Sequence, residues 1–470
     1  MSRQTELAKN TLILTIGKVC TQFVSFLLLP LYTALLIPEE FGIVDLFNTY
    51  ITLLVPIVNW QFESGLFRFM LDCREKKQVQ KEIFSTVIIA NILQSFIYLL
   101  FFGILQNLIH SEYKIFLALD VVANIFLNSM LQFSRGLGKN VTYSIASFIS
   151  AAITIVFNVI FIAGFRMGAY GMFLATVLAK LIAIVYLFLF TKTWNYFSIF
   201  LFKKHLFKVI FKYSIPLVPN QLSWWIVNAS DRSIIAYFIS TTANGIYSIA
   251  NKFSSIYVMF FSIFNLSWTE TVSLHLNDED REYFLTETIN TIFRLFSALC
   301  LGIIACMPFV FPIMINTQYL DAYYQVPILM FAVLFQVIVG LYSAIYIALK
   351  KSIEIAKTSF GAAIINILVD FALIKFIGLY AASLSTLIAY AVMSIYRYFD
   401  VKKYVVITFN KKLLCSTIIV GILTTISYYC NIFFLNIITL GTVIIYSIVI
   451  NRIFIKTIMK GFVKKSFNKS

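Results

Sequence analysis

The chain has 470 residues, 60% of them hydrophobic and only 12% charged, with a mean hydropathy of +0.88. A soluble domain carries about a quarter charged residues, whereas apolar runs of about 20 residues mark transmembrane helices, so the composition excludes a soluble fold and gives an all-α polytopic membrane protein. The net charge of +16 does not make it a nucleic-acid binder, because its bases lie in short loops between apolar segments, not along one stripe.

Fourteen spans are expected, at 10–36, 42–67, 83–108, 114–134, 141–164, 168–191, 213–238, 245–270, 288–313, 324–349, 354–375, 378–398, 413–430 and 434–454. The apolar run from Thr11 to Ile37 exceeds a signal-peptide core and lacks a small-residue cleavage site, so it reads as a retained first helix. Loops on one side of these spans hold 29 of the 37 Lys and Arg, and those on the other side hold only Lys114, Arg166 and Lys375. The positive-inside rule then places both termini in the cytoplasm. Five bases belong to neither side and sit alone within apolar stretches: Lys18, Lys180, Arg232, Lys252 and Arg294.

The two halves of the chain repeat. A shift of 212 residues matches Lys139 with Lys351, Ser147 with Ser359 and Phe148 with Phe360. A shift of 210 matches the block Gly168-x-Tyr170-x3-Leu174-x-Thr176-x2-Ala179 with Gly378-x-Tyr380-x3-Leu384-x-Thr386-x2-Ala389, and Gly42-Ile43 weakly echoes Gly245-Ile246. Six spans separate equivalents, so the halves share one topology, as in transporters whose parallel repeats flank a substrate site. The expected organisation is a first lobe at 1–192, a cytoplasmic amphipathic linker at 193–212, a second lobe at 213–403, and two further helices with a basic tail at 404–470.

An ionised side chain at the bilayer centre costs about 2.5–3.5 kcal/mol on insertion scales, so the five lone bases either line a cavity or are buried in ion pairs. A cation pore would carry carboxylate rings, and an all-basic set points to an anion. Glu63, Asp120, Asp231 and Asp370 are the acids placed to pair with them or to carry a coupling ion; Asp231 and Arg232 are adjacent and project about 100° apart, so they cannot share one partner. Pro30, Pro216 and Pro219 fall where the first helix of each half begins or bends, and are hinge candidates. Trp224 and Trp225 could stack on sugars or simply pack. Arg135-Gly-Leu-Gly-Lys-Asn140 lacks the full phosphate-loop spacing and reads as a turn. The three histidines show no metal spacing, the six cysteines form no CxxC pair, and no large outer loop exists to house an active site, so an enzyme is not expected.

Asn10-Thr-Leu, Leu29-Pro30-Leu-Tyr and Pro38-Glu-Glu-Phe-Gly-Ile-Val44, on fourteen spans with a six-plus-six repeat, resemble the polysaccharide flippases of the multidrug/oligosaccharidyl-lipid/polysaccharide exporter superfamily. The resemblance implies movement of an undecaprenyl-pyrophosphate-linked oligosaccharide from the inner to the outer leaflet of a bacterial inner membrane by alternating access, for O-antigen or capsule assembly. It implies a lipid-linked oligosaccharide and membrane lipids as partners, with a polysaccharide polymerase and chain-length machinery downstream, and no nucleic acid. No cofactor is implied; coupling to a proton or sodium gradient stays open. The alternatives are a lipid II flippase, a multidrug exporter of the same fold and, from another class, a membrane glycan polymerase or ligase. On this reading the five bases await a lipid pyrophosphate.

Overall fold

The computed structural model describes residues 26–73, 76–276 and 278–452, and among these every regular element is helical. Two compact units divide the chain at Gly245 and Ile246. The first contains α1 (Leu29–Leu35), α2 (Pro38–Asn59), α3 (Phe62–Asp72), α4 (Lys77–Leu105), α5 (Lys114–Gly136), α6 (Asn140–Asn158), α7 (Gly168–Thr191), α8 (Lys204–Ser214), α9 (Leu217–Phe238) and the first turn of α10 (Thr241–His275). The second contains the rest of α10, then α11 (Arg281–Met314), α12 (Asp321–Ala348), α13 (Ser352–Ile377), α14 (Leu379–Val401), α15 (Lys411–Cys430) and α16 (Phe433–Ile450).

Twelve of the described helices are long and apolar enough to cross a membrane. The other two expected spans have different reasons for their absence from that set. Most of 10–36, including Lys18, lies outside the described residues. The other, α9, is a full 22-residue helix but is too polar to qualify by composition. The segment expected as one span at 42–67 is two helices. Trp60 (φ 53°) and Gln61 (φ 58°) both adopt the left-handed region and end α2 before α3 begins. Two consecutive non-glycine residues in that region are costly and persist only where packing holds them. Trp60 packs edge-on against Phe62 and Phe211, which pins the break to the amphipathic helix α8. Pro216 caps α9 and Pro219 lies in its first turn, where no intrahelical N–H is required; they start the helix without breaking its ladder. Pro30 likewise lies at the start of α1.

Sequence repeat and compact packing cut the chain at different points. The repeat restarts near 213, but α9 packs along α2 and belongs to the first unit. The repeat itself is visible in backbone detail. Lys139 N–H donates to Ser134 O (3.0 Å) in one turn and Lys351 N–H to Tyr346 O (2.8 Å) in its equivalent. Gly138 and Lys350 both have positive φ (79° and 58°), and Gly168 and Gly378 share φ 56°. In the first unit α7 packs on α5 and α6, and in the second α14 packs on α12 and α13 in the same way.

The segment Pro38-Glu-Glu-Phe-Gly42 has a physical role at every conspicuous position. Pro38 opens α2, and the Glu40 carboxylate accepts from the Ile37 N–H (3.3 Å) and from Ala169 N–H at the start of α7 (3.4 Å), so one side chain caps two helices. Gly42 lies directly against Thr241 and Gly245, and Gly245 against Pro38 and Gly42, with Asn244 donating to Gly42 O at 2.9 Å. The contact is self-complementary, because the repeat that pairs Gly42 with Gly245 also pairs Pro38 with Thr241. A methyl group at either glycine would overlap backbone atoms. Gly42→Ala or Gly245→Ala is therefore expected to lower stability by about 1–3 kcal/mol, read as a lower Tm of the purified protein in detergent; an unchanged Tm would contradict the close crossing.

Candidate functional site

Four helices of the first unit carry polar residues, with one proline and one indole among them, at helical spacing through otherwise apolar sequence. On α2 and α3 the stripe runs Asp45, Thr49, Thr52, Pro56, Asn59 and Glu63; on α5 it runs Asp120, Asn124, Asn128 and Gln132; on α9 it runs Gln221, Trp225, Asn228 and Arg232. Within each helix, steps of three or four place these residues on one face, and the break at Trp60 and Gln61 sets Glu63 apart from the face of α2. The faces converge. They line an open cavity of about 560 Å³ whose wall includes Thr52, Gln61, Glu63 and Ser64 from the first pair, Asn124, Asn128 and Gln132 from α5, and Gln221, Trp224, Trp225 and Asn228 from α9, with Ile51, Val55, Pro56 and Ala229 between them.

Fixed contacts hold several of these groups. Trp225 Nε1 donates to Thr49 O (2.9 Å), Asn124 Nδ2 to Asp120 O (2.9 Å), Asn228 Nδ2 to Trp224 O (2.8 Å) and Ser64 Oγ to Gln61 Oε1 (3.2 Å). Glu63 is buried and accepts from the Asn59 side chain across the break between α2 and α3. Gln132 Oε1 is buried in the wall and accepts from no described residue. Amides lining one cavity with the adjacent indoles Trp224 and Trp225 are suited to binding hydroxyl-rich molecules.

Just beyond the polar wall, in the direction of Lys114 on α5 and of Phe238 on α9, lie two ion pairs. Lys180 Nζ meets Asp120 Oδ1 at 2.5 Å, with the acid almost wholly buried. Arg232 Nε meets Asp45 Oδ2 at 2.8 Å, and its Nη1 donates to Asn228 O at 3.3 Å. Asp231 is buried beside Arg232 on α9. In the second unit, Lys252 is partly buried on α10. Arg294 on α11 turns toward Asn290 O (3.3 Å) and Glu287 (3.8 Å), and Asp370 is fully buried on α13. The structure thus brings Lys180 together with Asp120, and Arg232 with Asp45.

Arg397 departs from the sequence expectation. Its place near the end of α14 assigns it to the basic inner loops, yet its side chain is 1% exposed and donates to Thr358 Oγ1 (2.7 Å), Ser343 Oγ (2.5 Å), Ser359 Oγ (3.2 Å) and Val339 O (3.2 Å). Five guanidinium donors need such a ring of oxygens when buried, and α12 and α13 supply it. The wall residues Asn124, Asn128, Gln132, Gln221 and Asn228 were not singled out from sequence either. Their signal was periodicity, not charge.

The Lys180–Asp120 pair carries a stability consequence. Removing one partner of a buried pair costs about 3–5 kcal/mol, whereas removing both is far cheaper. Asp120→Ala is expected to lower the Tm sharply, with Asp120→Ala/Lys180→Met recovering most of the loss. A single variant as stable as the parent would show that the pair is absent in solution.

Comparison with known proteins fits this architecture. Residues 7–268 match the family model described as "Polysaccharide biosynthesis protein". Among solved structures, a lipid II flippase (MurJ) in an inward closed conformation aligns with TM-score 0.68 at 17% identity, over 96% of this chain and 100% of that one. An inward-facing multidrug resistance MATE family transporter of the MOP superfamily aligns with TM-score 0.65 at 14% identity, over 81% and 95%. A Vibrio cholerae MATE transporter aligns with TM-score 0.56 at 13% identity, over 86% and 98%. No curated protein sequence matches the chain. The family match spans more than half of the chain, and the fold is shared with the MurJ and MATE structures: the chain belongs to the polysaccharide biosynthesis protein family.

Proposed function

We propose that the protein carries undecaprenyl-pyrophosphate-linked oligosaccharide repeat units from the inner to the outer leaflet of a bacterial inner membrane by alternating access, for O-antigen, capsule or exopolysaccharide assembly. The observation that carries this reading is the open cavity, lined with amides and indoles, that lies between helices of a membrane-spanning fold. Each sugar hydroxyl taken into hydrocarbon without a partner costs several kcal/mol, and converging polar stripes remove that cost. A drug exporter has no need of so many amides, and the match to a polysaccharide biosynthesis family supports a glycan cargo.

The pyrophosphate needs cations. Lys180 and Arg232 are held by Asp120 and Asp45 in this structure, and both would exchange a carboxylate for phosphate oxygens as cargo enters. Lys18, Lys252 and Arg294 are further candidates for the same contact. Glu63, Asp120, Asp231 and Asp370 are the groups that would take up a proton or sodium ion if a gradient drives the cycle, and Pro30, Pro216 and Pro219 the positions about which helices would bend. The flipped unit would pass to a polymerase and its chain-length machinery on the outer face.

Deleting the gene should leave lipid-linked units on the inner leaflet, readable by protection from an outer-leaflet sugar-modifying reagent; units accumulating unpolymerised on the outer leaflet would instead favour a polymerase. Lys180→Ala and Arg232→Ala should each abolish surface glycan, and the compensated variants Asp120→Asn/Lys180→Gln and Asp45→Asn/Arg232→Gln should insert normally yet still fail to restore it. Normal glycan in both compensated variants would remove the bases from the transport cycle.

A further inference from the structure

The charge of the sugar is a property on which this cavity can select. Its wall presents amides, hydroxyls, two indoles and the apolar Ile51, Val55, Pro56 and Ala229, but among the described residues that line it there is no lysine, arginine or histidine. The single ionisable group is Glu63, buried and hydrogen-bonded by Asn59. Two described bases lie just past the wall, Arg232 four residues beyond Asn228 on α9 and Lys180 across from Asp120 on α5, each against a carboxylate. Side-chain amides offer a donor and an acceptor in one group, which matches hydroxyl and acetamido substituents, and an indole face covers the apolar face of a pyranose. A sugar carboxylate placed here would be buried beside an acid, with no cation among the described lining residues to offset it.

We propose that this cavity binds an uncharged, hydroxyl- and amide-bearing sugar of the cargo and discriminates against acidic sugars, with Glu63 as the specificity-determining residue. This rests on the flippase reading and deepens it. Binding is thereby divided: the glycan is read by the neutral wall, and the pyrophosphate falls to bases outside it. The break at Trp60 and Gln61 places Glu63 for this task, since a continuous helix through 42–67 would carry its carboxyl on a different bearing.

The test uses the full-length protein in proteoliposomes with two polyprenyl-pyrophosphate-linked units that differ at one sugar, an N-acetylhexosamine in one and a uronic acid in the other. The neutral unit should be flipped about tenfold faster or more, the ratio expected when one uncompensated charge must be buried in the transition state. Glu63→Gln should shrink that preference. Gln221→Lys, at an exposed wall position, should shrink it independently by supplying a cation. Equal or faster flipping of the acidic unit by the unaltered protein, or a preference left intact by Gln221→Lys, would overturn the proposal. Should neither unit move, the flippase reading itself fails and the specificity claim with it.

Discussion

A polar group carried into an apolar helix bundle must find its partner inside the protein, and that constraint organises the first unit. Lys180 has Asp120, Arg232 has Asp45, Glu63 has Asn59, and the Trp225 N–H has the Thr49 carbonyl. Each of these contacts joins residues of two helices, so the groups that make the cavity hydrophilic also hold its walls together. The same rule explains the buried guanidinium of Arg397, which draws α12, α13 and α14 of the second unit around one ring of oxygens. Without such pairing the polar stripes would have to face lipid, at several kcal/mol for each unsatisfied group.

Close backbone approach is the second device. Gly42 and Gly245 let α2 and α10 touch at their first turns, and Glu40 caps α2 and α7 together. The conspicuous run from Pro38 to Gly42 is therefore a junction of three helices. Small residues at such crossings are the usual currency of association in membranes, where lipid chains are as apolar as leucine and burial alone gives no net drive.

Much of this was legible before any coordinates. Apolar length and loop charge gave the helical membrane fold, and the repeat placed Lys139 opposite Lys351 and Gly168 opposite Gly378, whose turns prove to share hydrogen bonding and φ. Charge was legible too, since a lone Lys180 in an apolar run announces itself. What stayed hidden was neutral or geometric. Asn124, Asn128 and Gln132 carry no charge and barely disturb a hydropathy average, although their four-residue spacing was there to be read. The break at Trp60 and Gln61 left no signal, because neither residue favours the left-handed region and only the packing of Trp60 on Phe62 and Phe211 holds it there. Arg397 sat close enough to a helix end to pass for a loop residue, and only the oxygens from neighbouring helices reveal its burial.

The central claim is that the first unit holds a water-accessible cavity for the sugar of a lipid-linked cargo. The most direct measurement places a cysteine at Asn128 in a background with Cys20, Cys73, Cys300, Cys306, Cys415 and Cys430 replaced by serine or alanine, and follows its modification by a membrane-impermeant thiol reagent. The account predicts modification at a rate typical of a hydrated site, slowed strongly by saturating lipid-linked oligosaccharide and not by the polyprenyl phosphate alone. A cysteine that does not react, or one that reacts at the same rate with and without the sugar-bearing lipid, would contradict it.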